Sequence, residues 1–220
     1  MISQMDGLIR ALRPPVHGGD QVDWSAWRDE LGFDFPSDYR RFMEVYGGGG
    51  IDQYLGIMSL SGDGKDWRDE YGNVSAMFGE RASGASVPCP YPAYSGLGGL
   101  VSWGVSAGPE FFYWLADSRN PDDWPVVIWS RSEFEWYRHD DGFSSFLLSA
   151  LEGRLDDDVF NREGFPSDRR DYLNYRDEKT LAGAGVQYFY YDISPGLVIE
   201  QCRAAGINPV DFFQSAGRYE

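Results

Sequence analysis

Residues Glu110–Trp129 read EFFYWLADSRNPDDWPVVIW. Phe111 to Leu115 is a run of aromatics, and Val126 to Trp129 is a run dominated by β-branched residues. Both favour extended backbone, where large and branched side chains pack on a pleated surface. The connector between them, ADSRNPDDWP, holds Asp, Asn, Ser and Pro, the residues that turn a chain. The stretch is therefore expected to form a β-hairpin with a long loop. Both runs are almost continuously apolar, so both faces of each strand should be covered and the hairpin should lie inside a sheet. Trp124 in the connector has two readings: it packs back over the sheet edge, or it stands in an acidic loop as part of a binding surface.

Further signals flank this hairpin. Leu100–Trp103 starts another strand, with Gly104–Pro109 as the turn into the hairpin, and Phe134–Tyr137 is a fourth short strand. Together they predict an antiparallel meander. Asp140, Asp141 and Gly142 then open a helix with Phe143, Phe146, Leu147, Ala150 and Leu151 on one face, closed by Gly153. On the N-terminal side, Asp23 caps a helix carrying Trp24, Trp27 and Leu31, and Gly32 stops it. Ser37 is read as the cap of a second helix with Tyr39, Phe42, Met43 and Tyr46 at i, i+3, i+4 and i+7. Gly47–Gly50 ends that helix in what reads as a flexible turn. No Lys-Ser/Thr follows the glycines and no strand precedes them, so they are no phosphate cradle. Ile51–Leu60 reads as one strand.

The ends are less regular. Residues 1–23 are a lead-in whose Leu8, Ile9 and Leu12 suit a short helix ended by Pro14 and Pro15. Residues 79–98, rich in Gly, Ser and Pro, read as a loop between layers. After Arg154 the chain changes character. Phe165–Tyr172 echoes Phe35–Phe42, read as one helix-start chemistry used twice. Val186–Tyr191 is a strand candidate. Helices are expected from Ser194-Pro195 to Ala205 and from Asn208-Pro209 through Phe213. Their few basic residues favour a docking element over a DNA-reading pair.

Composition narrows the function classes. The 220 residues carry a net charge of −16 and are 42% hydrophobic and 16% aromatic. That suits a globular chain and opposes nucleic acid or an anionic membrane as partner, because both need a basic footprint. A basic partner fits instead, or a charge that serves solubility alone. Cys89 and Cys202 form no motif and read as two reduced thiols, which fits a cytoplasmic protein. The N-terminus lacks the charged and apolar regions of a signal peptide, and no stretch is long enough to span a bilayer.

Chemistry-bearing motifs are sparse. His17 and His139 are the two histidines. His139 beside Asp140 and Asp141 invites a general-base reading. With no nucleophile motif, a surface histidine next to acids explains it better. No ligand set has metal-site spacing, and neither a metal nor a cofactor is expected. No enzymatic activity is expected.

The order of these pieces resembles the SMI1/KNR4 family, of the SUKH superfamily. The resemblance rests on the Trp-bearing helix with Gly32, then Phe35-Pro36-Ser37-Asp38-Tyr39 with Arg40-Arg41-Phe42. It continues with Tyr46-Gly47-Gly48-Gly49 before Ile51, then Phe112-Tyr113-Trp114-Leu115 with Trp124-Pro125-Val126-Val127. The helix Gly142-Phe143 to Phe146-Leu147-Leu148 closes it. Phe35 departs from the family's usual Leu. The resemblance covers about Trp24 to Gly153. It implies an α+β fold, a curved, mostly antiparallel sheet packed against helices. Residues 24–153 would be the domain, 1–23 a lead-in, and 154–220 an extension docked on it.

Many bacterial members of this family resemble immunity proteins that bind and neutralise toxins, often nucleases. Eukaryotic relatives act as signalling hubs. The resemblance thus implies a protein-binding domain that neutralises a cognate toxin in a bacterial cytoplasm, with a basic partner expected from the charge, or else a regulatory module for an endogenous partner. The matched residues fit helix faces and turns and carry the fold rather than a binding site. The binding surface is expected instead at the acidic connector, Asp117, Asp122, Asp123 and Trp124. Asp66, Trp67, Asp69 and Glu70 form a second acidic surface with an aromatic residue.

Overall fold

The computed structural model describes residues 4–15, 17–60, 89–92, 97–108, 110–130, 133–155, 159–160, 165–168, 170–185 and 195–216. The Glu110–Trp129 stretch does form the expected hairpin. Strand β4 (Glu110–Leu115) pairs antiparallel with β5 (Val126–Ser130), Glu110 opposite Ser130 and Trp114 opposite Val126. Strand β3 (Leu100–Ser106) flanks β4, and β6 (Glu135–His139) flanks β5. With β1 (Gly49–Ile51), β2 (Leu55–Ile57) and β7 (Tyr172–Asn174) they make an open antiparallel sheet ordered β6-β5-β4-β3-β2-β1-β7.

Side-chain alternation divides the hairpin between two layers. Phe112, Trp114, Val126 and Ile128 enter the main core, whereas Tyr113, Leu115, Val127 and Trp129 form a smaller cluster on the opposite face. The main core lies under α1 (Gln4–Ala11), α2 (Trp24–Leu31), α3 (Ser37–Val45) and α4 (Phe143–Leu151). Its interior is aromatic. The Phe143 ring meets Tyr39, Phe42 and Trp103 edge-on at 5.2, 5.3 and 4.9 Å, a geometry that places ring edges against ring faces. Every residue of α4 is buried, because α1 and α3 pack on it as well as the sheet. Gly7 permits the α1 contact, since a Cβ there would lie 2.7 Å from a Leu148 methyl.

The structure corrects several expectations. Ser37 makes no cap hydrogen bond. Helix α3 opens after Pro36, and the Ser37 amide donates to Asp122 from the β4–β5 connector at 2.6 Å. Ile51–Leu60 is not one strand. Asp52 and Gln53 both take positive φ, and the Tyr54 amide donates to the Ile51 carbonyl, so the chain reverses tightly between β1 and β2. Nor are the glycines a flexible turn. Gly49 and Gly50 lie in β1, and a Cβ on Gly49 would lie 2.4 Å from the Leu173 carbonyl oxygen of β7. Strand β3 runs on to Ser106, past a register shift between Ser102 and Gly104. Such a bulge adds local twist and bends the strand.

The Phe165–Tyr172 echo starts no helix either. In the first copy Tyr39 and Phe42 give a buried face at helical spacing. In the second, Arg169 stands in the place of Tyr39, and without that stripe helix formation loses its tertiary support. Asp52 instead accepts from the amides of Ser167 and Asp171, both at 2.8 Å, and the chain proceeds into β7.

Residues after Gly153 contribute to the main core and build a third cluster. Val159, Phe160, Phe165 and Tyr172 belong to the main core. Leu173 joins Leu181 of α5 (Tyr175–Gly183), Ile199 of α6 (Pro195–Ala204) and Phe213 of α7 (Pro209–Ala216) in a third cluster. The Tyr172 hydroxyl donates to the Gly47 carbonyl at 2.6 Å, and the Asn174 amide to the Tyr46 carbonyl at 2.7 Å. Residues 1–23 are no bystander: Leu8 and Leu12 are fully buried. The strand expected at Val186–Tyr191 lies outside the described residues, as does most of the 79–98 loop.

Candidate functional site

The β4–β5 connector is short of regular structure yet firmly held. A 3-10 turn, Pro121–Asp123, follows Asn120, whose amide donates to the Ser118 hydroxyl at 3.1 Å. The Trp124 indole N–H donates to the Ser118 carbonyl at 2.7 Å. Its ring meets Phe33 edge-on at 5.5 Å and is 1% exposed. Of the two readings of Trp124 the core one is therefore correct, and the side chain offers no surface to a partner. Its role is to pin the connector against the α2–α3 corner.

Pinning leaves the carboxylates of the connector outside. Asp117, Asp122 and Asp123 are all exposed. Asp122 is more than a solvated turn residue, because it supplies the cap that α3 lacks in its own sequence. Asp38 repeats the device: its carboxylate accepts from the Ser144 amide at 2.7 Å, capping α4 across 106 residues of sequence. Carboxylates at helix N-termini satisfy unpaired amides and face the positive end of the helix dipole.

These two bonds draw further acids to the same corner. Asp34 follows Phe33 and pairs with Arg28 at 2.6 Å. Exposed Asp140 and Asp141 lie in the β6–α4 turn, and Asp140 pairs with Arg138 at 2.6 Å. The Asp140 carboxylate, and less strongly Asp117, raise the Arg138 guanidinium above its ordinary range. Sequence reasoning found the connector acids but missed Asp34, Asp38, Asp140 and Asp141 as their neighbours. The available signal was the Pro-Ser-Asp helix start and the Asp-Asp-Gly before Phe143, but nothing local says that the two helix starts meet.

The second surface named from sequence, Asp66, Trp67, Asp69 and Glu70, lies outside the described residues. Among the described residues no group of three or more His, Cys, Asp or Glu is placed to hold a metal ion. No described helix is long and apolar enough to cross a membrane. Burial pushes both thiols up, with the Cys89 sulfur 3.1 Å from the Tyr91 carbonyl. A nucleophilic cysteine needs the opposite shift.

His139 is half-buried rather than freely exposed. Its ring lies 5.6 Å from Phe146, and burial lowers its pKa below 6.5 against the opposing pull of Asp141 and Asp140. The sign of the consequence follows. Below about pH 6.5 the unfolded chain takes up a proton that the folded chain resists, so stability falls as pH drops through that window. Urea midpoints at pH 7.5 and 5.5 should show a smaller acid loss for His139→Gln than for the wild type. An equal loss in both would remove His139 as a contributor.

Residues 18–149 match the model of the SMI1 / KNR4 family (SUKH-1). No curated protein and no solved structure matches the chain.

Proposed function

The chain belongs to the SMI1/KNR4 family (SUKH-1), a family that includes immunity proteins, and from that premise we propose that it binds and neutralises a cognate toxin. It would do so in the cytoplasm of a bacterium, without catalysis, by covering a basic surface such as the phosphate-gripping face of a nuclease. The observation that supports this reading is the acidic corner. Asp117, Asp122 and Asp123 stand exposed on a connector that Trp124 and the α3 cap hold in place. Fixed like charges produce a field that steers an opposite surface into register, and ordering the side chains of a rigid corner costs little at the moment of binding.

The first expected result is a toxin domain encoded beside this gene, and that domain is the probe. Co-expression should restore growth to cells producing that domain, and the purified proteins should form a complex. Asp117→Lys with Asp123→Lys leaves the Asp122 cap intact. The pair should retain the wild-type unfolding midpoint while slowing association by about tenfold at low salt, an effect that fades as salt rises. A folded double variant that associates at the wild-type rate under all conditions would remove the corner from the interface. Growth that stays arrested despite a folded wild-type protein would remove the neutralisation reading.

A further inference from the structure

With Trp124 in the core, the acidic corner has carboxylates but no exposed aromatic ring among the residues first named for it. Such a ring stands elsewhere. Phe134, in the turn between β5 and β6, is 53% exposed, the highest value among the large hydrophobics described. Its φ is +57°, a left-handed conformation that bulky residues seldom adopt. Glu133 and Glu135 flank it and are exposed as well. A glycine would suit the backbone and a polar residue would suit the solvent, yet a phenylalanine occupies the position.

The ring does not stand alone. It meets Trp129 edge-on at 6.5 Å. Trp129 is opposite Phe111 on β4, and Phe111 is opposite Val105 on β3, itself 39% exposed. Cross-strand partners share a face. On the side of the sheet away from α1 to α4, exposed Phe134 and Val105 are therefore linked through the buried Trp129 and the half-buried Phe111, with carboxylates at the Phe134 end.

We propose that Phe134 is an anchor of the interface, entering an apolar pocket rimmed by lysine or arginine on a protein partner. The chemistry of the turn commits to that partner. An aromatic ring gains most from a dry pocket, and the two flanking glutamates pair with a basic rim while opposing an acidic one. The inference rests on the neutralisation reading above and names a second contact of the same complex. Backbone strain held at an exposed apolar side chain fits a site kept for binding rather than for stability.

Phe134→Gly separates the two roles. Glycine adopts the left-handed conformation freely, so relief of strain offsets the lost Trp129 contact. The unfolding midpoint should stay level or rise. Affinity for the neighbouring toxin domain, measured by titration calorimetry, should fall about thirtyfold or more, the scale of an interface hot spot. Glu135→Lys should slow association most at low salt. If Phe134→Gly binds within about threefold of the wild type, this anchor is wrong while the neutralisation reading stands. If the midpoint falls along with affinity, Phe134 serves the fold and the proposal fails. If the wild type does not bind the toxin domain, both fall together.

Discussion

Cutting the chain after Gly153 is expected to abolish cooperative folding of what remains. The family match ends at residue 149, yet the core does not. Phe160 stacks on Phe112 at 5.7 Å with an interplanar angle of 10°, and Phe165 stacks on Tyr54 at 5.3 Å. Tyr172 packs edge-on against Phe42 and Tyr46 at 5.9 and 5.1 Å. Removing a buried ring costs about 3–5 kcal/mol, so these three together reach the whole stability of an ordinary domain, about 5–15 kcal/mol. The cut also strips β7 from β1, exposing an edge, and leaves the Tyr46 and Gly47 carbonyls without their partners. Residues 154–220 alone should fare no better, since their own cluster is small. Urea unfolding followed by tryptophan fluorescence would show a non-cooperative slope for residues 1–153. A sharp transition near the full-length midpoint would make the C-terminal segment an accessory.

Trp124→Ala should remove about 3–5 kcal/mol of stability, by the cavity it leaves between Phe33 and the connector. In a chain of this size that lowers the thermal midpoint by roughly 10 °C. Binding should weaken as a consequence, because the indole N–H holds the Ser118 carbonyl and thereby the turn that carries Asp122 and Asp123. The cap on Ser37 depends on the same turn. A Trp124→Ala protein with the wild-type midpoint but lost affinity would mean that the ring meets the partner after all. The contrast with Phe134→Gly is the informative one. Both changes remove a ring, but only the buried ring should register in stability.

Much of the architecture was legible because its signals are local. Alternation and β-branching in Glu110–Trp129 are enough to specify a hairpin, since each side chain in a strand meets a predictable face. Asp23 and Gly32 bound their helix within the reach of their own backbone, and both behave as read. The acidic corner was half legible. Its connector acids follow from turn chemistry, and their exposure follows from charge.

Failures occurred wherever a bond joins positions far apart in sequence. Ser37 looked like a cap, but its helix is capped by Asp122 from 85 residues away. Asp38 looked like part of one helix start and serves another. Phe165–Asp168 looked like Phe35–Asp38, but Asp52 tethers its backbone amides and no buried stripe sustains a helix. The four glycines looked loose because a sequence shows missing side chains, not the backbone of β7 that fills the space beside Gly49.

The sequence by itself determined the antiparallel meander β3 to β6, the helices α2 and α4 and the excess of negative charge, because periodicity, capping and composition act within a few residues. The tertiary structure alone decided which tryptophan is core, which phenylalanine is exposed, and which carboxylates are caps rather than free charges. Those outcomes depend on what each side chain meets across the fold. Burial and long-range hydrogen bonds are properties of pairs, and a single position in a chain does not carry its partner's address.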